Sequence, residues 1–204
     1  YQCGLNTQFR APEFADAFAY ANCVNVAMAN DGLAPRYSNA ELDAFKNGNL
    51  PYDYPDVDWW KETMNDFGYT NRLQLTFDGG SSKFRYYTVI DYYRDKSMLK
   101  ETTTDDRYST KPTDTRLSVR TNLDLDITPT TFLRAHIAAN LQELRGTAYG
   151  RNNIMKAIWN TPSAAFPVRY ANGIYGGNQV YGENNPVALL MDKGHVRNMF
   201  GTLL

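Results

Sequence analysis

The chain has 204 residues and a formal net charge of −1, with no basic footprint for a nucleic-acid partner. Mean hydropathy is −0.54, and no run approaches the ~18 consecutive apolar residues of a membrane-spanning helix. Barrel strands alternate and average out as polar, so that exclusion leaves a membrane β-barrel standing.

Period-2 alternation stands out in five places. Residues 1–10 set Tyr1, Cys3, Leu5, Thr7 and Phe9 against Gln2, Gly4, Asn6, Gln8 and Arg10. The stretch 11–70 then reads as a long connection with local structure. A helix is expected from Pro12 to Asn30, with Pro12 at N1, a stripe of Phe14, Phe18, Ala21, Val24 and Met28, and Gly32 as the stop. Ser38 and Glu41 form a capping box for a short helix ending near Gly48. Residues 51–60 are a rigid aromatic and acidic stretch, in which Asp58 is placed to cap a helix starting at Trp59.

Strand 72–78 opposes Leu73, Leu75 and Phe77 to Arg72, Gln74, Thr76 and Asp78. A tight turn at 79–82 leads into strand 84–95, with Phe84, Tyr86, Thr88, Ile90 and Tyr92 on one face. Strand 116–127 is the cleanest: Leu117, Val119, Thr121, Leu123, Leu125 and Ile127 oppose Arg116, Ser118, Arg120, Asn122, Asp124 and Asp126. After Thr128-Pro129-Thr130, strand 131–143 opposes Leu133, Ala135, Ile137 and Leu141 to Arg134, His136, Asn140 and Gln142. One or two helical turns are expected at 152–160, and a sixth strand starts near Arg197.

A soluble sandwich also alternates, but these strands approach the ~9–11 residues that cross a bilayer at a tilt. Short turns at one end and long loops at the other (11–70, 96–115, 146–196) match periplasmic turns and extracellular loops. The expected fold is an all-β membrane protein, an antiparallel transmembrane β-barrel with about six strands here and partly helical extracellular loops. Known barrels start at ~8 strands, and open edges in lipid leave backbone groups unsatisfied. The chain, which opens on Tyr1 without an initiator Met or a leader peptide, therefore reads as a processed or cut piece of a longer protein. The polar face, with Arg120, Asn122, Asp124, Arg134, His136 and Asn140, is expected to line the lumen, because Arg at mid-depth facing lipid costs about 2–4 kcal/mol.

Several residues carry an ordered resemblance. Tyr20, Asn25, Ala27 and Gly32 resemble the loop helix of the SusC/RagA-type TonB-dependent outer-membrane transporters of Bacteroidetes. The run Tyr54-Pro55-Asp56-Val57-Asp58-Trp59 resembles that family's Tyr-Pro-Asn-Thr-Asp-Trp stretch. Gly79-Gly80 with Tyr86-Tyr87 resembles its Gly-Gly turn and Tyr-Tyr strand, and Arg116, Arg120 and Asn122-Leu123-Asp124 its Arg-x-x-x-Arg-x-Asn strand. Thr161-Pro162 and Asn185-Pro186 resemble its third-loop markers, whereas Asn172-Gly173 stands where Asp-Gly is expected. No single motif is specific; their order and spacing carry the resemblance across nearly the whole chain.

The resemblance implies the N-terminal part of a barrel of about 22 strands, with plug, signal peptide and remaining strands elsewhere. It implies import of large nutrients, mostly glycans or oligosaccharides and sometimes peptides, across the outer membrane. The implied partners are a SusD-like surface lipoprotein as a lid, TonB through a segment outside this chain, and outer-membrane lipid, with a dimer of transporter–lipoprotein pairs as one arrangement. No cofactor and no covalent chemistry are implied. A passive porin and a secreted carbohydrate-binding β-sandwich remain the alternatives.

Tyr52, Tyr54, Trp59 and Trp60 are candidate substrate or partner contacts, since aromatic faces stack on sugar rings; packing the loop against a lid or rim is favoured over stacking. Asp53, Asp56 and Asp58 invite comparison with a calcium site, but their spacing does not fit an EF-hand loop. His136 has no Ser, Cys or second His at a telling spacing, and His195 says less. Gly173, Gly176, Gly177 and Gly182 lack the Lys-Ser/Thr ending of a phosphate loop. No enzyme is expected. Spacing alone does not bring Cys3 and Cys23 together, so their pairing stays open.

Overall fold

The computed structural model describes residues 2–7, 13–100, 109–178, 185–191 and 194–203, with backbone alone for the first strand and much of the last. Six strands, β1 (Gln2–Thr7), β2 (Phe67–Gly80), β3 (Phe84–Lys96), β4 (Thr113–Thr128), β5 (Thr131–Thr147) and β6 (Gly194–Leu203), form one sheet in sequential order. Every neighbouring pair is antiparallel, and the sheet is open, with β1 and β6 at its edges.

The two short turns need little sequence. Ser81 donates its backbone N–H to the Phe84 carbonyl at 2.6 Å, and a Cβ on Gly80 would overlap that same oxygen, so only glycine fits. The long connections all leave from the opposite end. They carry α1 (Ala17–Asn30), α2 (Asn39–Asn47), α3 (Trp59–Thr63), α4 (Gly150–Asn160) and α5 (Pro186–Met191). Among the described residues no helix is long and apolar enough to cross a membrane.

Register carries the alternation across strands. Leu73, Tyr92, Leu117 and Leu141 stand opposite one another, as do Leu75, Ile90, Val119 and Ala139, and then Phe84, Leu125 and Leu133. One face is therefore mostly apolar, interrupted by the row Phe77–Thr88–Thr121–Ile137, in which the Thr88 hydroxyl donates to the Thr121 hydroxyl at 3.2 Å. The other runs through rows such as Gln74–Asp91–Ser118–Asn140 and Asp78–Tyr87–Asn122–His136.

The packed core lies elsewhere. Among the described residues, no buried apolar side chain belongs to a strand. Trp59 of the first loop, Leu99 of the second, and Ile154, Ile158, Phe166, Val187 and Leu190 of the third form one cluster. A second cluster joins Ala17 and Ala21 of α1 to Phe45 of α2. The three long loops are thus one packed body at one end of an uncovered sheet.

Several boundaries differ from the sequence expectation. Strands β2, β4 and β5 extend further toward the loops, because backbone pairing continues through Phe67–Asn71 and Leu144–Thr147 after the apolar alternation has stopped. Helix α1 begins at Ala17, not Pro12: the Asp16 carboxylate accepts from the Ala19 N–H at 2.7 Å and ends the chain's approach to the helix there. Pro12 lies outside the described residues. The buried face of α1 is Ala17 and Ala21, while Phe18, Val24 and Met28 are only half-buried and Phe14 precedes the helix. Small side chains win because α1 lies close against α2 and Phe45 fills the gap. The Gly32 stop is borne out, with Gly32 at φ 71° donating to the Ala29 carbonyl and Leu33 donating to Met28. So are the Ser38–Glu41 capping box and the Gly48 end of α2. Helix α4 starts two residues before the expected 152, and α5 was not expected.

Candidate functional site

The polar face of the sheet brings together all six residues read as lumen-lining. His136 Nδ1 meets the Asn122 Oδ1 at 3.0 Å, and the Ser118 hydroxyl donates to Asn140 Oδ1 at 3.0 Å. Toward the turn end Asp124 lies 4.0 Å from Arg134 and 3.9 Å from Arg85, which also reaches Asp126 at 3.6 Å. Arg120 sits between these groups in the row Thr76–Val89–Arg120–Ala138, exposed.

Toward the loops the face is more tightly paired. Arg72 binds Asp91 at 2.7 Å, and the Thr70 hydroxyl donates to Asp95 at 2.7 Å. Asp114 accepts from Arg116 at 2.7 Å and from Gln142 at 2.8 Å, while the Arg116 guanidinium lies 5.3 Å from the Tyr93 ring. The surface is thus a ladder of fixed cations, carboxylates and amides. It can bind a polar guest or a polar protein surface at many points.

The four loop aromatics do not act together. Trp59 is 3% exposed, donates its indole N–H to the Pro162 carbonyl at 3.1 Å and stands edge-on to Phe166. Tyr54 packs edge-on against Phe45. Trp59 is a wall of the loop body, where apolar burial outweighs display, whereas Tyr54 is half-buried at the edge of the second cluster. Tyr52 is exposed and faces Tyr170 at 6.3 Å between centroids. Trp60 is half-buried and joins Phe14 and Trp159 in an aromatic group with centroids 5.1–6.4 Å apart.

Trp159 is 55% exposed and lines, with Phe14, Tyr20 and Asn160, a cleft of about 190 Å³. Sequence reasoning missed it, although a Trp at the exposed end of an amphipathic helix is a visible signal. It also missed what Asn185 does. Only 2% exposed, Asn185 donates from Nδ2 to the Val168 and Gly176 carbonyls at 3.0 Å each, and its Oδ1 accepts from Val187 and Ala188 at the start of α5. Asn followed by Pro is an N-cap and N1 signal that would have located α5.

The acidic stretch serves capping. Asp58 accepts from the Lys61 N–H at 3.0 Å, as expected, and Asp56 accepts from the Ala17 N–H at 2.8 Å across the loop. Among the described residues no three His, Cys, Asp or Glu side chains converge as a metal ion requires. In α2 the backbone N–H of Ser38, and after it the Ser38 hydroxyl, hold the Glu41 carboxyl below its ordinary range. Gly173, at φ 82°, turns the third loop, and Gly176 packs so closely that a Cβ would overlap the Pro167 carbonyl oxygen. Gly182 and the side chains of Cys3 and His195 lie outside the described residues, and Cys23 is an exposed free cysteine. No protein-family model matches the chain, and no curated protein is significantly similar to it.

Proposed function

We propose that this chain is the opening part of the β-barrel of a SusC/RagA-type outer-membrane importer of large nutrients. In this reading the apolar face meets lipid, the polar face lines the lumen, and the loop body faces the cell exterior. A SusD-like lipoprotein covers the lumen, TonB supplies the energy through a segment outside this chain, and the cargo is an oligosaccharide or a peptide. The chain's own part is to form wall and rim. It binds and guides, with no covalent step.

One observation carries the reading: the apolar face runs in register across four strands, uncovered, while the molecule's buried core sits in its loops. Leu133 and Leu141 are 53% and 50% exposed, a cost in water that lipid removes. From Leu117 to Ile127 the band follows β4 for roughly 34 Å at ~3.4 Å per residue. At the usual barrel tilt it stands about 25 Å high, the apolar height of outer-membrane barrels.

The test is to extract the protein from its native membrane in detergent, weigh it and identify what comes with it. A chain several times longer than 204 residues, with a bound surface lipoprotein and energy-dependent uptake, is the expected result. A soluble monomer of this size that unfolds cooperatively in water would replace the importer with a sandwich.

A further inference from the structure

Cations on the polar face of the sheet are matched, Arg72 with Asp91 and Arg116 with Asp114. Helix α4 is different: it carries Arg151 and Lys156 and no carboxylate. Asn153, Lys156, Ala157 and Asn160 fall at the three- and four-residue spacing of one helix face. That face borders a cavity of about 400 Å³, which Tyr149, Thr161 and Leu189 complete. Among the described residues Lys156 is the one charge in this lining. The Lys156 ammonium, the Asn160 amide and the Thr161 hydroxyl have no hydrogen-bond or ion-pair partner among the described residues, although Thr161 is only 5% exposed. Asn153 donates to the Tyr149 carbonyl at 2.9 Å, which leaves its Oδ1 to accept.

We infer that this cavity binds an acidic sugar residue, with Lys156 on its carboxylate. The inference rests on the importer reading and selects, among its cargoes, an acidic oligosaccharide. Donors and acceptors around a cavity of small-molecule size suit a ring of hydroxyls, and a buried hydroxyl without a partner carries a cost that a sugar hydroxyl removes. An ammonium with no carboxylate beside it favours a uronate over a neutral hexose. The site does not end at this cavity. Asn160 and Thr161 also line the cleft of about 190 Å³ that holds Trp159, which is 55% exposed. The two spaces meet along these two residues, so the next sugar of the chain has an indole to stack on. A peptide asks instead for apolar pockets at alternate side chains, and Ala157 and Leu189 are the only aliphatic side chains in the lining among the described residues.

The intact protein in detergent is titrated calorimetrically with tetragalacturonate and with its methyl ester, which keeps the rings and removes the charge. Wild type is expected to prefer the acid by about tenfold. Lys156→Gln loses that preference and keeps its affinity for the ester, which shows that the loop body still folds, while Lys156→Arg keeps the preference. Trp159→Ala weakens both ligands alike, by about fivefold. Absent or equal binding of acid and ester by wild type, or a preference unchanged in Lys156→Gln, overturns the inference. So does displacement by tetraglutamate at the same concentration, which would make the ligand a peptide. The mass of the detergent-extracted chain reads the importer separately: a barrel-sized chain with no acid preference sinks this inference alone, and a soluble monomer that keeps the preference leaves the site standing and sinks the importer.

Discussion

The Trp59 indole N–H donates to the Pro162 carbonyl at 3.1 Å across 103 positions of sequence, tying the first long loop to the third. Leu99 of the second loop joins the same cluster, so the loops are held by one another more than by the strands they connect. Replacing a buried Trp by Ala costs about 3–5 kcal/mol through lost burial and the cavity left behind. Trp59→Ala is expected to speed hydrogen exchange in α4 and α5 by at least about a hundredfold, leaving β2–β5 unchanged. Uniform acceleration through the sheet would mean that loops and strands unfold as one unit.

Asn185 serves four backbone groups within a single buried side chain. Asn185→Ala strands the buried Gly176 carbonyl, leaves the Val168 carbonyl with the Gly176 N–H at 3.3 Å, and uncaps α5, at about 1–3 kcal/mol for each orphaned group. Asn185→Asp is expected to be no better, since a carboxylate replaces a donor facing two carbonyls. Protease cleavage between 168 and 190, rising in both variants, checks this; an Asp variant as resistant as wild type would remove the donor argument.

The two faces of β4 make opposite predictions from adjacent residues. Val119 lies mid-band opposite Ile90 and Ala139, and Ser118 lies on the polar face opposite Asp91 and Asn140. In lipid, Val119→Arg costs about 2–4 kcal/mol, while Ser118→Arg meets charge and water. Outer-membrane assembly, scored by heat-modifiable migration, is expected to fall for Val119→Arg and to hold for Ser118→Arg. Indifference to both would contradict a lipid-facing band.

Glu41 titrates below its ordinary value of 4.5 because Ser38 hydrogen-bonds the charged form. A depressed folded value means that the stabilisation is present above pH 4.5 and drains away as the pH falls through the lower folded value. The start of α2 is therefore expected to hold at pH 6 and to loosen in acid. Comparing hydrogen exchange of residues 38–48 in wild type and Glu41→Gln at each pH isolates the effect: the difference should vanish below the folded value, and a constant difference would assign it to something other than this carboxyl.

Much was legible because it is local. Alternation in 72–78, 84–95, 116–127 and 131–143 depends on a two-residue period, the Gly79–Ser82 turn on one glycine's steric freedom, and the caps at Ser38, Asp58 and Gly32 on neighbours within a few residues. The polar set Arg120, Asn122, Asp124, Arg134, His136 and Asn140 followed from the same period, since parity alone assigns a face. Pairings across long stretches of chain were not legible: the Asp56 cap on α1, the four bonds of Asn185, and the burial of Trp59 against Phe166. Trp59 and Trp60 adjoin in sequence, yet one is sealed in the core and the other sits at its margin. The sequence by itself determined which residues alternate, turn and cap, because those are decided by bonds and sterics within a few residues. Only the tertiary structure decided which aromatics are walls and which are surface, because burial depends on what three distant loops bring to the same place.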